Sequence, residues 1–145
     1  MRVGQAGCAA AAVALLALSG CGSSKHGPTK ATYIARAEAV CTTLYEEVTV
    51  AGENHKPILV KIREGIPNYQ RANAQLRAIA MPSADRKVLS EWLHDREVVL
   101  GEIKKSLETK PGTTAHELAN LNERSVNEAA RGLAREYGLE ACTRV

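Results

Sequence analysis

Glu91 and His94 form the pair of residues whose spacing is most suggestive of chemistry, a Glu-x-x-His pattern. On one helix of a bundle, this pattern supplies two ligands of a di-metal carboxylate centre. Such a centre also needs a second copy of the pattern and two inward glutamates, which are not evident in the sequence. At about 100° per residue, Glu91 and His94 fall roughly opposite the apolar face that contains Trp92 and Leu100. We therefore expect both side chains to face solvent, and we predict no metal site and no cofactor.

Motifs for catalysis are absent from the sequence. It contains no Gly-rich phosphate loop, nucleophile elbow, zinc-protease helix motif or Cys-x-x-Cys pair. The other histidines, His26, His55 and His116, stand in a polar tether, a turn and a first helical turn. These are places where a histidine is usually solvated or caps a helix. We predict no catalytic residues and no enzyme activity.

Three polar residues occupy positions that helical spacing directs toward the core, namely Asn73, Arg96 and Ser125. Buried polar groups need hydrogen-bond partners. The three side chains could line a groove, or they could be held by local hydrogen bonds and by snorkelling of the arginine. If the bundle binds a small molecule or a metal, the site is expected between helices near Pro67 and Arg96, where a helix kink could open space.

Cysteine is the other residue type with an assignable chemical role. Cys21 ends the sequence Leu18-Ser19-Gly20-Cys21, and an uncharged apolar run of residues 8–18 precedes it. Arg2 supplies a positive charge in front of this run. The run has about eleven residues, whereas a membrane-spanning helix needs about twenty. This arrangement is typical of a signal peptide.

The segment Leu18-Ser19-Gly20-Cys21 closely resembles the lipobox of bacterial lipoproteins. The resemblance implies cleavage before Cys21, removal of residues 1–20 and attachment of diacylglyceryl to the Cys21 thiol. Each buried methylene contributes about 0.8 kcal/mol, so two acyl chains hold a protein durably. The expected location is the cell membrane, where the lipid at Cys21 anchors the protein on the extracytoplasmic face. Residues 21–29, rich in Gly and Ser, are expected to form the lipidated cysteine and a flexible tether.

The remaining residues, 30–145, carry the period of amphipathic helices. Apolar side chains recur at three- and four-residue steps in four stretches. The stretches run from near residue 30 to 51, from 57 to 80, from about 85 to 110 and from 114 to 137. Short connections make successive helices antiparallel neighbours, so we predict an all-α, up-down-up-down four-helix bundle in a single domain.

Local signals mark where these helices bend, begin and end. Pro67 predicts a bend or short break in the second helix. Thr114 and Glu117 predict a capping box at the start of the fourth, and Gly138-Leu139 predicts its C-terminal cap. The apolar face of the fourth helix is expected to include Leu118, Leu121, Val126, Ala130, Leu133 and Tyr137.

Cys41 and Cys142 are the cysteines left over if Cys8 leaves with the leader and Cys21 is lipidated. Disulfides persist outside the cytoplasm, and an up-down-up-down bundle places its first and last helices side by side. We predict a structural disulfide between Cys41 and Cys142, with two free thiols as the alternative. Tyr33–Cys41 and Tyr137–Cys142 also resemble the two ends of small exported helical proteins of high-GC bacteria, a group that implies no activity.

The formal charge of +3 is nearly balanced, and basic and acidic residues alternate along the chain. This pattern is typical of solvated helix surfaces and argues against nucleic-acid binding. The sequence favours a noncatalytic interaction or structural module, with an envelope protein or wall component as a possible partner. The alternative function is a helical bundle that binds a small molecule or a metal.

Overall fold

The computed structural model describes residues 27–52 and 56–145. Within these ranges it contains helices and no β-strand, so the predicted all-α bundle is confirmed. Two short 3₁₀ helices, Ser83–Asp85 and Ala141–Arg144, precede the third α-helix and follow the fourth. The α-helices are α1 (Lys30–Gly52), α2 (Ile58–Ala78), α3 (Arg86–Glu108) and α4 (Thr114–Tyr137).

Several sequence-based predictions fall outside the described ranges. They concern the signal peptide, the lipidation site Cys21, most of the tether, His26 and His55. None of the described helices combines the length and the apolar character needed to cross a membrane.

The helices pack as two hairpins that meet along one side. α1 packs on α2, α2 packs on α3, and α3 and α4 form the most extensive pair. The 3₁₀ helix Ala141–Arg144 packs against both α1 and α4. This C-terminal helix therefore connects the first helix of the bundle to the last.

A close-packed core fills the end of the bundle where α1 begins and α4 ends. Tyr33 of α1 meets Tyr137 of α4 edge to face, with ring centres 6.1 Å apart. Small residues elsewhere in the core let the helix backbones approach closely. The buried cluster contains Tyr33, Ala37, Cys41, Leu76, Leu89, Trp92, Leu93, Ala130, Ala134, Tyr137, Leu139, Ala141 and Cys142.

Two interactions fasten the C-terminal 3₁₀ helix to α1. The structure joins Cys41 to Cys142 by a disulfide, with Cα atoms 5.0 Å apart, and both cysteines are fully buried. The pairing is the one expected from the sequence. The Glu38 carboxylate also accepts hydrogen bonds from the Ala141 N–H, at 2.9 and 3.0 Å.

The ends of α4 show one correct prediction and one error. Gly138 adopts φ 92° and ψ 28°, and the Leu139 N–H reaches the Ala134 carbonyl at 2.8 Å, which confirms the C-terminal cap. At the other end, Thr113 rather than Thr114 is the N-cap, since its Oγ1 accepts the His116 N–H at 3.3 Å. The cap lies one residue early because Thr113 is the last residue in an extended conformation before the helix.

Helix α2 continues through Pro67, so the short break that the sequence allowed does not occur. The Pro67 side chain is exposed, and its ring therefore disturbs the backbone of α2 without displacing a packed neighbour.

The predicted inward face of α4 is wrong in the first half of the helix. Leu118 and Leu121 are 52% and 61% exposed, and Ser125 is exposed as well. Ala130 and Ala134 pack in the core and therefore determine which face of α4 points inward. Counting back from them along the helix at three- and four-residue steps reaches polar residues rather than Leu118 and Leu121. Those inward positions hold Ala119, Asn120, Glu123 and Asn127.

Candidate functional site

The half of the bundle opposite the close-packed core contains a cavity of about 590 Å³, which we call the cleft. Its walls are α2 as far as Asn73, α3 from Trp92 to Leu107 and α4 from His116 to Arg131. Val48 near the end of α1 and the C-terminal residues Cys142, Arg144 and Val145 complete the lining. Because neighbouring helices are antiparallel, these segments all lie toward the end where α2 and α4 begin.

One side of the cleft is apolar. Ile62 and Ile66 of α2 and Val99, Ile103 and Leu107 of α3 line this side. The spacing on each helix is that of one helical face, which explains why the sequence reads as amphipathic there. The apolar residues at the start of α2, Ile58 and Leu59, also line the cleft and are 67% and 54% exposed.

The α4 side of the cleft is polar. Asn120, Glu123 and Asn127 line it at three- and four-residue steps. Ser106 Oγ on α3 donates to Asn120 Oδ1 at 2.7 Å, and Asn127 Nδ2 donates to Glu123 Oε1 at 3.3 Å. These side chains are thus oriented by one another. This polar wall was not predicted from the sequence. Its one signal is the helical spacing of Asn120, Glu123 and Asn127, which a solvent-exposed face would show equally.

His116 and Ser106 lie together in the cleft wall, but their geometry is not that of a base and a nucleophile. His116 Nδ1 lies 3.1 Å from the Ser106 carbonyl oxygen, to which a nitrogen can only donate. The Ser106 hydroxyl proton goes to Asn120. His116 Nδ1 also lies 3.4 Å from Ser106 Oγ, which is longer than the about 2.6–3.2 Å of an activated nucleophile and its base. The pair is therefore not arranged for proton transfer in this structure.

Arg96 lies at the inner end of the cleft, where the cavity meets the close-packed core. It is 8% exposed, its Nε donates to Asn73 Oδ1 at 3.0 Å, and its guanidinium carbon lies 5.5 Å from the Trp92 ring centre. Asn73 is buried too, so the predictions that Asn73 and Arg96 point inward are confirmed. No carboxylate among the described residues forms an ion pair with Arg96.

Burial lowers the pKa of Arg96 to about 10, an effect that Tyr69 and Tyr33 oppose. The side chain is therefore still a cation at neutral pH. Burial raises the pKa of Tyr33 to about 12, with Arg96 opposing the rise. The Tyr33 hydroxyl is buried and has no hydrogen-bond partner within the described part of the chain. The inner end of the cleft thus holds a buried cation with only neutral neighbours.

Charged residues around the cleft are mostly basic. Arg96, Arg131 and Arg144 contribute positive charge, whereas Glu123 is the one acidic side chain in the described lining. Glu123 is hydrogen-bonded to Asn127 and does not reach Arg96. The cleft therefore favours an anion over a cation.

Glu91 and His94 are both exposed, as their helical positions predict. Across residues 27–52 and 56–145, no three His, Cys, Asp or Glu side chains lie close enough to hold a metal ion together.

Comparison with protein-family models, with curated proteins and with solved structures found no match to this chain.

Proposed function

We propose that this protein is a noncatalytic, lipid-anchored binding protein that holds a small molecule with a large apolar part in the cleft. The observation that carries the proposal is a cavity of about 590 Å³ with an apolar wall from α2 and α3. Ligand pockets for small molecules have volumes of about 300–1,000 Å³ and are mainly apolar, with a few oriented polar groups. Of the two functions considered from the sequence, the cavity supports small-molecule binding over a purely structural module.

The anchor in this proposal is diacylglyceryl on Cys21, with the bundle on the extracytoplasmic face of the membrane. Support comes from the lipobox-like sequence and from the pairing of Cys41 with Cys142, which suits an oxidising compartment. Replacing Cys21 by serine should move the protein from the membrane fraction to the soluble fraction or leave an uncleaved leader, with the mass read by spectrometry. A variant that stays at the membrane with a normally processed N-terminus would contradict the anchor.

Binding is best tested on the full-length chain with Cys8→Ser and Cys21→Ser, which lacks the proposed lipid and keeps the bundle unchanged. We call this chain the soluble background. The neutral fluorophore N-phenylnaphthylamine brightens when it enters an apolar site. It should bind with one-to-one stoichiometry and be displaced by dodecan-1-ol. Absence of saturable binding would refute the proposed function.

Two glycines provide a matched pair of variants. Gly65 is buried in α2 and lines the cleft, and a Cβ there would meet only Tyr69, at 3.9 Å. Gly101 is exposed on α3, and a Cβ there would meet nothing within 4 Å. Leucine at either position raises helix propensity by a similar amount. Gly65→Leu should abolish fluorophore binding because its side chain enters the cleft, whereas Gly101→Leu should bind normally. Equal binding by both variants would place the fluorophore elsewhere.

A further inference from the structure

We propose that the natural ligand is an amphipathic monoanion, a linear-chain carboxylic acid whose carboxylate pairs with Arg96 and whose alkyl chain lies along the apolar wall. This inference rests on the proposed function, because it assigns a chemical class to the ligand of the same cleft. It adds two claims, namely that the ligand is charged and that its charged group lies at the inner end of the cleft.

The first argument is the unpaired charge of Arg96. Buried charges in proteins are nearly always paired, because an isolated ion loses its hydration without compensation. Arg96 has one neutral acceptor, Asn73, and the aromatic face of Trp92. Neither supplies a negative charge. A ligand carboxylate would complete the site, since guanidinium and carboxylate groups match in geometry as well as in charge.

The second argument is the direction of the cleft. Asn73 and Arg96 lie at its inner end, and the exposed residues Ile58 and Leu59 line the opposite end. Along α2, the rise from Asn73 back to Ile58 is about 22 Å. Ile62 and Ile66 of the apolar wall lie between these two ends. The cleft is thus elongated, with a buried charge at its inner end and an apolar wall along its length, a pattern that an acyl chain with an acid group would fit.

The third argument concerns the size of the ligand charge. Arg96 is the one buried cation in the described lining of the cleft, and it offsets a single negative charge. A phosphate monoester carries about −1.5 to −2 at neutral pH and would leave excess charge in the buried site. A carboxylate carries one charge, so the site suits a carboxylate better.

The test compares dodecanoic acid with dodecan-1-ol on the soluble background, with displacement of N-phenylnaphthylamine as the readout. The two probes have the same chain and differ in the charged group. The acid should bind at least about tenfold more tightly than the alcohol. Arg96→Met should remove that advantage and leave alcohol affinity within about twofold of the original. The matched control is Arg124→Met on the exposed surface of α4, which should change neither affinity.

Orientation is tested with Trp92, the single tryptophan of the chain. Bromine quenches tryptophan fluorescence on close approach, and the Trp92 ring lies next to the Arg96 guanidinium. Dodecanoic acid brominated beside the carboxyl group should quench Trp92 strongly, and the acid brominated at the far end of the chain should quench it weakly. The reverse order, or equal quenching, would overturn the assigned orientation.

The possible outcomes separate this inference from the proposed function. If acid and alcohol bind equally and Arg96→Met changes neither, the cleft binds apolar ligands but the anion claim is wrong. If neither probe nor the fluorophore binds, both claims are wrong. The comparison of acid with alcohol on the unsubstituted bundle needs no Arg96 variant. It therefore decides whether the cleft prefers an anionic ligand even if Arg96→Met does not fold.

Discussion

Replacing Arg96 by methionine should stabilise the ligand-free protein, although it removes a hydrogen bond. The fall of the Arg96 pKa from 12.5 to about 10 means that the folded protein disfavours the charged form. At 1.36 kcal/mol per pKa unit, this amounts to about 3 kcal/mol of unfolding free energy at neutral pH. The methionine removes the charge and retains most of the apolar stem.

The rise in unfolding free energy is smaller than this because Arg96→Met also removes the hydrogen bond to Asn73. Without Arg96, the buried Asn73 Oδ1 loses the donor that satisfies it. An unsatisfied buried polar group costs about 1–3 kcal/mol. Arg96→Met alone should therefore raise the unfolding free energy by about 0–2 kcal/mol, and the double variant with Asn73→Leu should raise it by about 3 kcal/mol.

Urea unfolding of the ligand-free soluble background, followed by circular dichroism, measures these differences. Arg124→Met removes an exposed charge of the same kind and should leave stability within about 0.5 kcal/mol. A loss of more than about 1 kcal/mol in both the single and the double variant would refute the reasoning. Arg96 would then be a structural residue whose hydrogen bond and aromatic contact outweigh its desolvation.

Three further predictions concern the scaffold. Replacing Cys41 and Cys142 by alanine should lower the unfolding free energy in urea by about 4–5 kcal/mol, because the bridge spans 101 residues of sequence; an unchanged midpoint would contradict this. The Tyr137 hydroxyl donates to Asp85 at 2.7 Å, and burial, assisted by that bond, raises the Tyr137 pKa above its ordinary value of 10.0. Above pH 10 the folded state therefore keeps a proton that the unfolded state loses. The contribution of Tyr137 to the free energy of unfolding should be fully present below pH 10 and should decrease above it. Tyr137→Phe should make this decrease with pH smaller in thermal scans. Gly138→Ala should lower the unfolding free energy by about 1 kcal/mol, because alanine is strained at φ 92°, and an equal melting temperature would count against that cap.

The four helices were predictable because apolar spacing, proline and glycine all mark the same boundaries. The inward positions of Asn73 and Arg96 were predictable for a related reason. Each lies in a helix whose apolar residues fix the phase of the buried face. The position of a polar residue on that face then follows from its number alone.

The face of α4 was not predictable in the same way. Leu118 and Leu121 are apolar and at helical spacing, but they are exposed, and polar residues occupy the inward positions. A sequence pattern assumes that an inward face meets a solid core. Here it meets a cavity, where Asn120 and Glu123 can be accommodated. The size of the cavity depends on the distance between the two hairpins. Many packing contacts together determine that distance, so no short stretch of the sequence indicates it.

Oxidation of Cys41 and Cys142 affects when the lining of the cleft is complete. Cys142, Arg144 and Val145 form part of the cleft lining, and the disulfide to Cys41 holds their segment on α1. In a reduced chain, the contact between Glu38 and Ala141 would be the main remaining polar attachment. We therefore expect maturation in two stages, in which the helices associate first and the pocket is closed by oxidation. A reduced chain of the proposed binding protein would then lack a complete cleft until Cys41 and Cys142 are oxidised.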